Sequence, residues 1–224
     1  MTRLTERDHE LVTAAVTEAE RATSGEIVVV AAARSDAYHD VALHYALLAM
    51  LVVPAALALV PKSWIDRVVA WLMGWNAELS RSALMLLLFV LLTLAFLLVR
   101  LLLMNMTLRL ALTPGRTKTR RVHRRAVELF RAGCELKTRG RTGILIYLSL
   151  GERRAEILAD QAIADKVEPE VWGEAMAALV DEVKAGRPGE GMARAVALVG
   201  AVLARFLPPD ADNPNELPDR LVEL

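Results

Sequence analysis

The chain has 224 residues, 54% of them apolar against 24% charged, with a mean hydropathy of +0.34. A soluble domain of this length needs less hydrophobe than that, so part of the chain is expected in lipid. One cysteine excludes a disulfide scaffold, and only 12 glycines and 9 prolines exclude a disordered regulator.

The formal net charge of zero averages opposed blocks. Eight acids face four bases up to residue 40, eleven bases face two acids over 108–141, and fifteen acids face eight bases from 142 onward. In the first segment, Leu11, Val12, Ala15, Val16, Ala19 and Ala22 recur at helical spacing behind a Thr5–Asp8 capping pattern. After Thr23-Ser24-Gly25, residues 26–34 (EIVVVAAAR) form a short valine-rich run, which predicts a strand buried on both faces. The first 25 residues contain Glu6, Asp8, Glu10, Glu18 and Glu20 and no apolar run of the kind a signal peptide needs, so no cleavable signal is expected there.

Residues 41–61 carry no Asp, Glu, Lys or Arg, and at about 1.5 Å per residue they match the hydrocarbon thickness of a bilayer. They predict a transmembrane helix containing Pro54. A second span is predicted over 82–104, with Arg100 near its exit able to snorkel to the head groups. Between them Trp64, Trp71 and Trp75 recur at helical spacing with charges interleaved, predicting an interfacial helix over about 64–76 that anchors the hairpin.

Beyond the second span, Arg109, Arg116, Lys118, Arg120, Arg121, Arg124 and Arg125 follow with no acid among them. The positive-inside rule then puts this side, and both chain ends, in the cytoplasm: two spans in the inner membrane of a bacterium. Thr113-Pro114 opens a helix whose face is Val122, Ala126, Leu129, Phe130 and Gly133, with Gly140 as its stop. Residues 144–150 (ILIYLSL) read as a second buried strand, and Arg153–Ala159 as an edge strand after a Gly151-Glu152 turn. Two helices follow. The first begins near Pro169, carries Trp172, Ala175, Met176, Leu179, Val180 and Val183 on one face and ends at Gly186; the second covers 190–207.

These elements predict an α/β fold: an α/β/α sandwich around a small mixed sheet, interrupted by a two-helix transmembrane hairpin. Its parts are 1–40 (helix and strand), 41–107 (hairpin), 108–207 (the rest of the domain) and 208–224, a proline-rich acidic tail expected to be extended.

The residues Thr-Ser-Gly-Glu (23–26), Thr-Gly-Ile-Leu-Ile (142–146) and Ile-Leu-Ala-Asp (157–160), followed by two helices, resemble the TPM domain. That family is known from thylakoid lumen proteins linked to photosystem II repair and from bacterial membrane proteins. The resemblance covers both soluble pieces. It implies the α/β/α sandwich and, for some members, acid phosphatase-like activity and calcium binding. Where members often carry Asp or Asn before the glycine that opens the second strand, this chain has Arg141-Thr142 before Gly143.

The chemistry-bearing residues form no familiar catalytic pattern. Cys134 lacks an arginine six positions on, where Gly140 stands, and is expected in the core beside Val127 and Phe130. A phosphate loop, HExxH and GxSxG are all missing, and His9, His39, His44 and His123 have no zinc-ligand spacing. Acidic oxygens remain as candidates for calcium or magnesium, with no cofactor implied beyond these. Parallel strands one and two end at one edge, which gathers Asp36 and Glu152, while Asp160 lies at the opposite edge nearer Glu26. Each has a competing structural role: a solvated loop for Asp36, a turn for Glu152, a helix cap for Asp160. Six to eight oxygens are needed for calcium, so neither edge suffices without backbone, water or further acids.

Strand one ends a few residues before the first span, so its carboxyl edge is expected to face the bilayer. Arg153 and Arg154 then join the seven basic residues as head-group contacts, each worth about 1 kcal/mol against anionic lipid. Nucleic acid is not expected, because no aromatic interleaving accompanies the charges. The sequence therefore favours a membrane-tethered interaction or assembly module with a lipid surface and a protein as partners. The alternatives are a metal-dependent phosphomonoesterase and a structural subunit whose hairpin pairs with other membrane helices, although the second span lacks GxxxG.

Overall fold

The computed structural model describes residues 4–73, 80–135, 142–167, 169–209, 217 and 219–224. Its contacts divide the chain into two units, one of Met1–Ala37 with Pro114–Leu224 and one of Tyr38–Thr113.

The first unit is α/β. Helix α1 (Glu6–Glu20) starts with a complete capping box: the Thr5 hydroxyl accepts from the Asp8 amide at 3.2 Å, and the Asp8 carboxylate accepts from the Thr5 amide at 2.7 Å. Strands β1 (Glu26–Ala32) and β2 (Gly143–Ser149) are buried at every position, as continuous β-branched runs require. They pair in parallel, Glu26 opposite Gly143 through to Ala32 opposite Ser149, and β3 (Arg154–Ala159) returns antiparallel on β2. The sheet has a fourth strand that the periodicity does not reveal. Residues Val222 and Glu223 form β4, parallel to β1, giving the order β3-β2-β1-β4.

Alternate residues of the strands feed two cores. Ile27, Val29, Ala31, Ile144, Ile146 and Leu148 meet Val12 and Val16 of α1, Leu179 of α8 (Gly173–Lys184) and Met192, Val196 and Leu203 of α9 (Pro188–Phe206). On the other face Val28, Val30, Leu145 and Tyr147 meet Val122 and Ala126 of α6 (Gly115–Phe130), together with Leu217. The result is a three-layer α/β/α sandwich around a mixed sheet. Gly186, at φ 80, supplies the left-handed residue that ends α8, and Pro188 opens α9 where its missing N–H costs nothing. A four-residue helix, α7 (Gln161–Ala164), follows β3.

The second unit consists of α2 (His39–Leu59), α3 (Lys62–Met73), α4 (Arg81–Leu102) and α5 (Met106–Leu112). α2 and α4 pack on each other and are both long and apolar enough to cross a membrane. Leu51, Leu59, Phe89 and Leu101 among them are mostly exposed, the opposite of the core helices of a soluble protein. On α3, Trp64 and Trp71 are exposed, with the Arg67 guanidinium 4.5 Å from the Trp64 ring. Trp75 lies outside the described residues. α5 is an addition to the predicted elements: the Asn105 side chain accepts from the Thr107 amide at 3.0 Å and starts a separate helix after the second long one. The Cys134 side chain and residues 136–141, with Gly140 among them, also lie outside the described set.

Candidate functional site

In an open α/β sheet the carboxyl ends of parallel strands are where loops carry chemistry. Here β1 and β2 end side by side, and their following loops are laced together. The Leu150 and Gly151 amides donate to the carbonyls of Ala32 and Ala33, each at 3.0 Å. Glu152, only 7% exposed, accepts from the Ser35 amide at 2.9 Å with one oxygen and from the Ser149 hydroxyl with the other. The Tyr147 phenol, wholly buried, shares a hydrogen bond of 2.9 Å with the Ser35 hydroxyl. Burial pushes the Tyr147 phenol above its ordinary pKa and the Glu152 charge adds to this, against the pull of the Ser35 bond. It therefore stays protonated. Asp36 and Glu152 thus meet at one edge through Ser35, as the strand directions predict.

Neither carboxylate is a solvated loop or simple turn group. Asp36 faces Arg121 at 3.1 Å and Arg124 at 3.2 Å, and the Arg121 side chain is itself only 11% exposed. Arg124 and Arg125 also reach Glu128, at 3.9 and 3.3 Å, and His123 lies 3.3 Å from Glu156. A calcium ion requires six to eight oxygens, and these oxygens are engaged by guanidinium, hydroxyl and amide donors. As placed, they do not fit a metal. Among the described residues no group of three His, Cys, Asp or Glu side chains is arranged to hold one.

Asp160 lies at the opposite edge. Its carboxylate, in a residue 4% exposed, does not cap α7 but accepts from the Gly143 amide at 3.2 Å, clamping β2 where that strand begins. Across the register from Gly143, Glu26 is 3% exposed and accepts from the Leu217 amide at 3.3 Å. Glu20 is the group the sequence does not flag. Its carboxyl accepts from the Ile27 amide at 2.8 Å, and burial with help from Glu26 and Asp219 pushes its pKa up to about 8, against the lowering effect of Ile27. The only sequence signal was its position at the end of α1, close to the start of β1.

The basic residues divide into three kinds. Arg109 is 7% exposed and its Nε donates to the Leu103 carbonyl at 2.8 Å, so it caps the end of α4. Arg121, Arg124 and Arg125 are engaged with carboxylates as above. Arg116, Lys118, Arg120, Arg153 and Arg154 have no carboxylate within ion-pair distance among the described residues; Arg116, Arg120 and Arg153 are exposed, and the other two are half-buried. Two of the contributing segments meet: the Arg154 guanidinium lies 3.4 Å from where a β-carbon on Gly115 would stand, at the first residue of α6. Arg153, at φ 52, occupies the left-handed region that turns the chain into β3.

No family model matches the chain, and no curated protein matches it. Among solved structures it is similar to the BA42 protein of the psychrophilic bacterium Bizionia argentinensis, determined by NMR. The TM-score is 0.56 at 18% identity, covering 99% of this chain and 95% of that one. At that identity the likeness shows the fold alone.

Proposed function

We propose that the chain is a membrane-anchored, TPM-like interaction or assembly module whose basic edge rests on anionic head groups while its acidic surfaces meet a protein partner. The proposed setting is the inner membrane of a bacterium, crossed by α2 and α4, with both chain ends in the cytoplasm. Two short connections support a sheet edge held near the bilayer: β1 is joined to α2 by six residues, and α6 follows α5 after two.

The observation that carries this reading is the charge at the start of α6. A helix N-terminus bears about half a positive charge and is ordinarily met by an acid. α6 has no acid in its first turn and no side-chain cap, and instead gathers Arg116, Lys118 and the Arg154 guanidinium. Such crowding of like charge opposes folding unless an external anion answers it. Lipid phosphates do so, and each basic residue near an anionic surface is worth about 1 kcal/mol.

The test uses full-length protein in nanodiscs of zwitterionic or anionic lipid, with hydrogen exchange read at the amides of residues 115–121. Slower exchange in anionic discs is expected, reversed by salt and by combined Arg116→Gln, Arg153→Gln and Arg154→Gln substitution. Equal exchange in both lipids overturns the proposal.

A further inference from the structure

The C-terminal residues are held against α1 and the outer edge of β1 by unusual means. Leu221 enters the core on one face of the sheet and Leu217 the core on the other. The Leu224 amide donates to Ala31 and the Ala33 amide to Leu224, both at 2.9 Å, but β4 itself is only two residues long. The remaining ties are acidic. Asp219 accepts from the Thr17 hydroxyl at 3.0 Å, one turn before Glu20 on α1, Glu26 accepts from the Leu217 amide, and Glu20, which accepts from the Ile27 amide at 2.8 Å, stands beside both acids. Two carboxyl groups can share a hydrogen bond only when one of them carries a proton, because an ionised carboxylate is an acceptor alone.

We propose that Leu217 and Asp219–Leu224 form a proton-controlled clasp, closed on α1 and β1 while the Glu20–Asp219 pair holds one proton and released when that proton leaves. The groups facing Glu20 are Glu26 from β1 and Asp219 from the clasp, both acids, so ionisation leaves three carboxylates crowded together. On α1, Arg21 is turned to Glu18 at 2.7 Å, and His9 faces Glu223 at 3.3 Å farther along the clasp. Burial, the main reason Glu20 holds its proton to about pH 8, sets the release in the neutral to mildly alkaline range. Release converts β1 from an interior strand to an edge, whose open N–H and C=O groups are a template for an extended segment.

The test is hydrogen exchange of the full-length protein in nanodiscs from pH 6.5 to 9, corrected for the intrinsic pH dependence of exchange. Wild-type amides of Ala33 and Leu224 are expected to gain about thirtyfold in corrected rate, about tenfold per pH unit up to the Glu20 pKa of about 8 and level above it, for one proton released on opening. Glu20→Gln, which still donates to Asp219 and accepts from Ile27, is expected to flatten the profile. Asp219→Asn serves as a second variant and should do the same. The amides of 144–148 in β2 report global opening and should exchange more slowly than those of the clasp at every pH. A wild-type profile that is flat, or that Glu20→Gln and Asp219→Asn leave unchanged, overturns the proposal, as does clasp exchange no faster than that of β2.

Discussion

Helices α1 and α9 come together through the absence of a side chain. A β-carbon built on Gly200 would stand 2.6 Å from the Ala19 β-carbon and 3.3 Å from its α-carbon. Carbon atoms pack at about 3.5–4.0 Å, so Gly200→Ala requires the helices to part by about 1 Å along a contact lined by Val12, Val16, Val196 and Val199. Overpacking of this kind costs about 1–3 kcal/mol, and the better helix propensity of alanine returns about 1 kcal/mol. The net loss of up to about 2 kcal/mol should speed the globally limited exchange of β1 and β2 amides by up to about 30-fold. Ala19→Gly alone should cost about 1 kcal/mol through propensity. Combined with Gly200→Ala it restores the clearance, so the double variant should be more stable than the Gly200→Ala single and the two effects non-additive by about 1–3 kcal/mol. Additive effects of the two substitutions would refute the close contact.

Other expectations follow from the polar edges. Ser149→Ala removes a donor from the buried Glu152 carboxylate and should cost about 1–3 kcal/mol, read as a lower Tm; Tyr147→Phe removes one bond to the half-exposed Ser35 and should cost about 1 kcal/mol or less. Asp36→Asn removes the charge that Arg121 and Arg124 face, so the salt-sensitive protection of residues 115–121 by anionic lipid should strengthen. Glu20 makes stability fall with rising pH. Its folded pKa of about 8 exceeds the ordinary 4.5, so the folded state binds the extra proton between those values; the contribution is fully present below pH 4.5 and lost as pH rises through 8. Melting across that window should show the slope in wild type and lose it in Glu20→Gln.

The elements legible in the sequence are those whose signal is periodic. The valine and isoleucine runs of β1 and β2, the capping box at Thr5 and Asp8 and the long apolar helices needed no tertiary information. β4 left almost no trace, because two residues establish no period; Leu217, Leu221 and Val222 stood out only as apolar points in an acidic tail. α5 was hidden by its apolar composition, which runs on from α4 until Asn105 caps a new start. At the site, strand direction alone brought Asp36 and Glu152 to one edge and sent Asp160 to the other. What each carboxylate touches was not legible. Arg121 reaches Asp36 from 85 positions away in the chain and Glu152 reaches Ser35 from 117, and no local pattern encodes such pairings. The basic residues 109–125 looked alike in sequence, yet burial made Arg109 a helix cap and partnership occupied three others.

The interruption of the α/β unit imposes an order of events on biosynthesis. β1 leaves the ribosome early, but its parallel partner β2 begins at Gly143, and α9, which covers α1, is later still. Until then α1 and β1 have nothing to complete their core, and the apolar surface of β1 must wait while the second unit is made. Membrane insertion of that unit, on the proposed topology, precedes completion of the sandwich. Once the sheet closes, the two chain ends of the hairpin are tied by β-pairing on one fold. On the proposed topology the residues that enter α2 and leave α5 are thereby tethered to one fold, so the two ends of the hairpin cannot drift apart in the bilayer while the sandwich is intact.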